Sequence, residues 1–494
     1  MRQRIYNTLS GKKEDFKPRK RGKVHMYVCG PTVYDYSHLG HARAYVAFDV
    51  IRRYLEHSGN EVIYVNNLTD VNDKIIKRAE ETMDTPESVA ERFSDEFFID
   101  MDALGVKRAD FYPKVSEHMQ EIIGMVAGLI EKGYAYESAG DVYFDTSKAK
   151  DYGKLSRQKM GKILAGARVK PNKKKKTQAD FALWKNAGEN EQKWKSPWGQ
   201  GRPGWHIECS AMAMKYFGEN LDIHAGGQDL VFPHHENEIA QSEAYSGTQF
   251  AKYWMHNGFV TVDREKMGKS LGNFFTVREI LKKHRPEVVR YFLLSTQYRK
   301  PIDFTDKSLA EAKSSLEGIE NSLANLKHAI TIKQGSKKTK EDKEVLKKVE
   351  YHRKQFFAAM GDDFNTREAI SSIHQMCTVL NAYLAEKPNN EVLRESLDSF
   401  EEFSQILNLF EEKDIDQDEE IIAHLRRLMR ELEVKKLKDD YTVSGLMRLV
   451  LLEREKARKE NNYESSDKIR ESLSHMGIVI EDTEEGPRWQ LRRT

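Results

Sequence analysis

Apolar positions alternate between short runs and helical stripes through the first part of the chain. Val24-His25-Met26-Tyr27-Val28 reads as a short buried strand that Gly30 and Pro31 break. Val46, Val50, Ile51, Tyr54 and Leu55 then recur at helical spacing up to Gly59, and Val62-Ile63-Tyr64-Val65 resumes as a strand. Strand, turn, helix, strand predicts half of a nucleotide-binding α/β sheet, with its ligand at the carboxyl ends of the strands and helix-start N–H groups facing a phosphate. From about Glu131 to Trp205 the pattern loosens around Gly133, Gly140, Gly153, Gly161 and Gly166, which predicts an insertion. A second half-sheet follows. Met212, Ala213 and Tyr216 lie at helical spacing from Cys209, and Leu221–His224 and Phe259–Val262 read as strands.

Beyond Asp306 the pattern becomes helical. Leu309, Ala312, Leu316, Ile319, Leu323 and Leu326 form one stripe, and Ile370, Ile373, Cys377 and Leu380 another. A polar linker is expected around Gly335–Lys338 and a boundary in the acidic stretch Glu411–Glu420. A long helix from Ser444 to about Ser474 and a strand Ile478–Ile480 close the prediction.

Composition narrows the class. A chain of 494 residues calls for three or more domains. With 39% hydrophobic and 32% charged residues and no long apolar run, neither a membrane span nor an export signal is expected. Three distant cysteines, Cys29, Cys209 and Cys377, argue for a reducing compartment rather than a disulfide framework. The net charge of +2 decides nothing, and the run Lys173–Lys176 reads as a solvated part of the insertion.

Two constellations carry candidate chemistry. Pro233 opens a predicted helix on which His234 and Glu238, four apart, share a face. Zinc accepts thiolate, imidazole and carboxylate, so Cys29 and Cys209 could complete its shell if the fold gathers them. Spacing alone leaves His206 and His235 as competitors, and both cysteines equally suit buried apolar positions. The second constellation pairs His38-Leu39-Gly40-His41 with Lys266-Met267-Gly268-Lys269-Ser270. Gly40 lets a phosphate approach the backbone. The two lysines could hold a triphosphate from the other side and stabilise charge on departing pyrophosphate. Each motif alone suits a solvated loop; both in this order, on two halves of a sheet domain, are far more specific.

These motifs resemble those of the class I aminoacyl-tRNA synthetases. His38-Leu39-Gly40-His41 matches their HIGH signature, and Lys266–Ser270 matches KMSKS with Gly268 for serine. Cys29–Tyr34, Gly204–Met212 and Phe232–Glu238 resemble the cysteinyl-tRNA synthetases among them, and the likeness runs from Tyr27 to Trp489. The resemblance implies an α/β, Rossmann-type nucleotide-binding catalytic domain over 1–315, with the insertion at about 126–204. An α-helical stem-contact bundle over 316–412 and a small C-terminal anticodon-binding region over 413–494 would follow. It implies one zinc per subunit, held by Cys29, Cys209, His234 and Glu238, with His206 and His235 excluded and no role for Cys377. The zinc would select the thiol of L-cysteine, with Cys29 and Trp205 lining the substrate pocket. His38, Gly40, His41, Lys266 and Lys269 would bind ATP with Mg2+, the histidines and lysines being catalytic. Arg488, Trp489, Arg492 and Asp482 are candidates for reading tRNA(Cys), and equally suit a charged terminus with one buried tryptophan. A cytoplasmic monomer is expected. Two other readings remain: a ligase joining activated cysteine to a small amine, which the long helical tail disfavours, and a zinc-containing RNA-binding protein, which the intact histidines and lysines disfavour.

Overall fold

The computed structural model describes residues 2–158, 173–188, 191–267, 273–331, 338–386, 388–410, 418–432, 434, 441–483 and 486–491. The chain forms two compact units, Met1–Asn408 and Leu409–Thr494.

The first unit is built on a four-stranded parallel sheet in the order Ala251–Asn257, Leu221–Gly227, Lys23–Val28, Glu61–Asn66. From the first strand the chain moves outward to Glu61–Asn66. After the insertion it returns to the other side of that strand. The order therefore reverses between Lys23–Val28 and Leu221–Gly227, which opens a crevice at their carboxyl ends. The 19-residue helix Leu39–His57 covers the sheet with Ala42, Val46, Phe48, Val50, Ile51 and Leu55, all fully or almost fully buried.

One expected strand is reassigned. The outer strand of the second half is Ala251–Asn257; Val260–Val262 instead pairs with Ile302–Phe304 and Glu265–Lys266 in a separate three-stranded sheet. The outer strand escapes hydropathy because it buries His256 and Asn257 along with Tyr253, Trp254 and Met255. The insertion is a five-stranded antiparallel sheet running from Ala135 to Pro203, entered from the helix Met119–Glu131. Its lysine run is solvated as expected, with Lys173, Lys174 and Lys176 exposed, and is tied down at the surface. Lys174 pairs with Asp141 at 2.8 Å, Lys176 reaches Asp145 at 3.7 Å, and Lys175 lies over the Tyr143 ring.

Helices Asp306–Thr331, Lys340–Gly361, Thr366–Leu384 and Asn390–Leu407 form the helical part of this unit, and both predicted stripes are buried in it. Residues 335–337 of the expected linker lie outside the described residues. A buried ion pair ties this bundle to the sheet domain. Arg290 meets Asp49 of the Leu39–His57 helix at 2.5 Å and donates to the Leu407 carbonyl at 2.7 Å.

In the second unit, helices Glu419–Glu431, Val443–Lys459 and Tyr463–His475 pack with a hairpin of Ile478–Thr483 and Gly486–Leu491. The single helix expected from Ser444 to Ser474 is two helices. Asn461 takes a left-handed φ of 57°, and the Asn462 side chain caps the second helix by accepting the Ser465 N–H. Among the described residues no helix is long and apolar enough to cross a membrane.

Candidate active site

Cys29 follows the central strand directly, and its N–H is held by the Ala225 carbonyl at 2.9 Å. The chain then turns at Gly30, where a Cβ would collide with the Asn67 carbonyl, and the Gly30 N–H donates to Asn67 Oδ1 at 2.8 Å. Cys209 enters from the first turn of the helix Ile207–Phe217. His234 and Glu238 come from a different local structure than expected. Val231–His235 is a π-type turn containing an extended Phe232, and the regular helix starts only at Glu236. The two side chains nonetheless converge, with His234 Nε2 3.0 Å from Glu238 Oε1.

Three segments distant in sequence thus meet in the crevice. Cys29 Sγ lies 3.8 Å from Cys209 Sγ and 3.6 Å from Glu238 Oε1, within donating reach of either. The ligand atoms of Cys29, Cys209, His234 and Glu238 all lie within 4.8 Å of one another. A second set, Cys29, His224, His235 and Glu238, meets the same limit. Cys29 Sγ is 3.4 Å from His224 Nε2 and 3.2 Å from His235 Nε2. Neither His224 nor the depth of His235 was legible beforehand, because both depend on how the strand Leu221–Gly227 docks against the π-type turn. Each inner imidazole is oriented from behind. His234 Nδ1 is 3.0 Å from His206 Nδ1; His235 Nδ1 is 2.8 Å from His256 Nε2, whose other nitrogen meets Thr8 Oγ1 at 2.8 Å.

The donor set suits a metal. Glu238 is fully buried, and its Oε2 has no hydrogen-bond partner among the described residues, although His224 Nε2 stands 3.2 Å away. Burial would raise the Glu238 carboxyl, but His224 and His234 hold it well below its usual range. The hydrogen bond from Cys29 brings the Cys209 thiol down to about 6, against the pull of burial. Burial itself keeps the Cys29 thiol raised. For His234, burial is overcome by the Glu238 charge and Cys209, which lift it to about 10. His235 and His256 are instead driven low by burial, the latter to about 3. Protonated His234 balances the Cys209 thiolate and the Glu238 carboxylate; a thiophilic divalent cation would take over that role and leave the imidazole neutral. Trp205, 38% exposed, stacks on His234 with ring centroids 4.4 Å apart.

The His38–His41 turn starts the helix Leu39–His57. His38 Nδ1 accepts the His41 N–H at 3.3 Å, and His41 Nδ1 accepts the His38 N–H at 3.4 Å. This is a capping box built from two imidazoles, whose rings stack at 3.7 Å. Accepting at Nδ1 fixes both rings as Nε2–H tautomers. The backbone N–H groups of His38, Leu39 and His41 are held by His41 Nδ1, the Phe275 carbonyl and His38 Nδ1. A Cβ at Gly40 would stand 2.9 Å from the His38 ring and 3.7 Å from Met267 Cε, so the lysine motif begins against this turn. Lys266 ends a two-residue strand paired with Thr261; Lys269 lies outside the described residues.

In the tail, Trp489 pairs with Ile480 across the hairpin and packs partly buried on the core of the second unit, beside Arg488 in the same strand. Arg492 lies outside the described residues. Cys377 is buried in the helical stripe, away from the cluster's sequence neighbours, and all three cysteines are free.

Comparison with known proteins agrees over the whole chain. Residues 15–314 match the family described as tRNA synthetases class I (C) catalytic domain, and residues 355–411 match the DALR domain. The Cysteine--tRNA ligase of Thermococcus onnurineus (strain NA1) is 50% identical over 490 residues, covering 99% of this chain and 98% of that protein. That of Heliobacterium modesticaldum (strain ATCC 51547 / Ice1) is 49% identical over 496 residues, covering 99% of each. Among solved structures, LeuRS of Agrobacterium radiobacter K84, in a ternary complex with tRNA and LeuAMS, shares the fold at a TM-score of 0.60 and 13% identity. The match covers 80% of this chain and 85% of that one. Mycobacterium tuberculosis methionyl-tRNA synthetase bound by methionyl-adenylate does so at 0.59 and 12%, over 86% and 96%. By fold, motifs and full-length similarity, the chain belongs to the cysteine–tRNA ligase family of class I tRNA synthetases.

Proposed function

We propose that the protein activates L-cysteine with ATP and transfers it to the 3'-terminal adenosine of tRNA(Cys). The observation that supports this most directly is the meeting of Cys29, Cys209, His234 and Glu238 in a crevice whose central strand also leads into the His38–His41 turn. We assign these four as zinc ligands rather than the set containing His224 and His235. They include both thiols, and Trp205 opens that side to a substrate while His224 and His235 are fully buried. Zinc held there would supply a soft Lewis acid that takes the thiol of cysteine as thiolate and gives serine's harder hydroxyl a poor bond.

In the first step a carboxylate oxygen of cysteine attacks the α-phosphorus of ATP in line. The new O–P bond forms as the bond to pyrophosphate breaks. His38 and His41 donate Nε2–H to phosphate oxygens, while Lys266 and Lys269 balance the charge growing on pyrophosphate, with Mg2+ accompanying ATP. In the second step a ribose hydroxyl attacks the carbonyl carbon, and AMP leaves. Trp205 walls the amino-acid pocket and limits water there.

The same proposal assigns 1–315 to catalysis, with 126–204 as its insertion, 316–412 to the tRNA stem and 413–494 to the anticodon. Arg488, Trp489 and Arg492 are candidate contacts, since unpaired bases stack on aromatics and on guanidinium planes. It describes a cytoplasmic monomer. ATP–pyrophosphate exchange tests the reading: exchange should require cysteine and ignore serine, and adding tRNA(Cys) should give charged product. Exchange indifferent to cysteine would overturn the substrate assignment.

A further inference from the structure

Arg278 sits beyond the lysine motif, on the short helix Val277–Leu281, and belongs to none of the motifs above. Its guanidinium is held from three sides. Nε donates to Asp100 Oδ1 at 2.9 Å, a terminal nitrogen pairs with Glu96, and the plane lies over the Tyr36 ring at 4.7 Å. Asp100 and Glu96 come from the helix Pro86–Ala103, and Asp100 is 1% exposed. Tyr36 lies two residues before His38, and its other contact is the edge of Phe93 on that same helix, at 5.3 Å. Burial raises the Asp100 carboxyl, and Arg278 and the Ser37 N–H, which also reaches it, work against that rise.

One buried carboxylate therefore serves both the residue before His38 and the residue that anchors the far end of the lysine motif. Around this point the two segments are joined backbone to backbone. The Val277 N–H donates to the Ser37 carbonyl at 2.8 Å, the Leu39 N–H donates to the Phe275 carbonyl at 3.2 Å, and His38 bridges to Thr276. Phe274 meets the His38 ring edge-on at 5.2 Å. Arg278 adds to these hydrogen bonds a side-chain link from residues 273–279 to the helix Pro86–Ala103 and to Tyr36. A guanidinium that both pairs with carboxylate and stacks on a ring resists displacement in two directions, which an ammonium does not.

We propose that Arg278, seated on Asp100, Glu96 and Tyr36, is a positioning residue for adenylate formation, holding the downstream flank of the lysine motif in register with the His38–His41 turn. The inference rests on the ATP-dependent reading above. Arg278 touches no reacting atom, so its loss should misplace the phosphate-binding groups while sparing the cysteine pocket, which other elements build. Misplacement by about 1 Å costs on the order of 10²-fold.

The test uses the full-length zinc-loaded protein. Arg278→Ala should lower kcat for cysteine-dependent pyrophosphate exchange about 10- to 100-fold. The KM for cysteine should stay within about twofold and zinc content at wild-type level. Arg278→Lys should recover only part of the loss. Asp100→Asn should lower the same kcat, and the double variant should be no worse than Arg278→Ala, since the two act as one unit. Exchange in Arg278→Ala at the wild-type rate would overturn the proposal, as would additive losses in the double variant. So would parallel decay of kcat, cysteine affinity and zinc content, which marks general unfolding. Wild-type protein without cysteine-dependent exchange would defeat the underlying reading instead.

Discussion

Cys209 and Cys377 are both buried thiols, and their surroundings drive them in opposite directions. Cys209 is drawn down to about 6 by the Cys29 hydrogen bond, against burial, whereas burial pushes Cys377 up to about 11. The first suits a metal ligand, the second a packing residue. Cys209→Ser should therefore reduce zinc from one per chain to well below half, measured by metal analysis after dialysis, because a hydroxyl is a poor replacement for thiolate. Cysteine-dependent exchange should fall with it, while the KM for ATP changes little. Retention of zinc would shift the ligand set toward His224 and His235. For Cys377 the linkage sign is fixed by a raised acid. Between about pH 9 and 11 the unfolded chain releases a proton that the folded chain keeps, so stability falls as pH rises. Two units amount to roughly 2–3 kcal/mol. Urea unfolding of wild type and Cys377→Ala should differ by a constant amount below pH 9 and converge above it. Parallel curves to pH 11 would remove the shift.

At the scale of elements, the decisive piece is the start of the helix Leu39–His57, where two histidines cap each other and set each other's tautomer. Gly40 lies between them with no room for a side chain beside the His38 ring. Gly40→Ala should keep the fold and zinc content but displace that ring, lowering exchange kcat on the order of 10²-fold. Wild-type exchange in this variant would show that the close approach carries no function. The turn, the helix and the first strands were legible because Gly30, Gly40 and Gly59 punctuate a strong apolar pattern. Less legible were elements whose polar residues are buried. The strand Ala251–Asn257 hides behind His256 and Asn257, and the π-type turn Val231–His235 resembles a helix start until its backbone is seen. The four proposed ligands came from resemblance rather than spacing. His224 and His256, which crowd the same space as the competitor His235, carry no local signal, since only tertiary packing brings strand and turn residues together. Arg278 and Asp100 stayed silent for the same reason.

At the scale of the whole molecule, the two units have separate cores. The sheet domain and helical bundle share the buried Asp49–Arg290 pair and belong to Met1–Asn408, while the remainder has its own core of Leu425, Met429, Leu446, Met447 and Val450. A chain ending at Phe410 should retain cysteine-dependent exchange within about threefold, while tRNA(Cys) charging falls by at least about tenfold, since tenfold is only 1.4 kcal/mol of lost tRNA affinity. Equal loss of both activities would mean the second unit supports the fold rather than RNA contact.

The strand order has a consequence for how the protein is made. Lys23–Val28 lies inside the sheet, but its neighbour Leu221–Gly227 is synthesised only after the entire antiparallel insertion. Until then the nascent sheet has an open parallel edge, and Cys29 waits without the groups that will surround it. Long-range parallel pairing of this kind is slow, and open edges recruit other chains. Translation arrested before residue 221 should release a fragment that aggregates. The ribosome must pass Glu238 before Cys29, Cys209, His234 and Glu238 can meet, so closing the sheet and gathering the four proposed ligands are late, linked events.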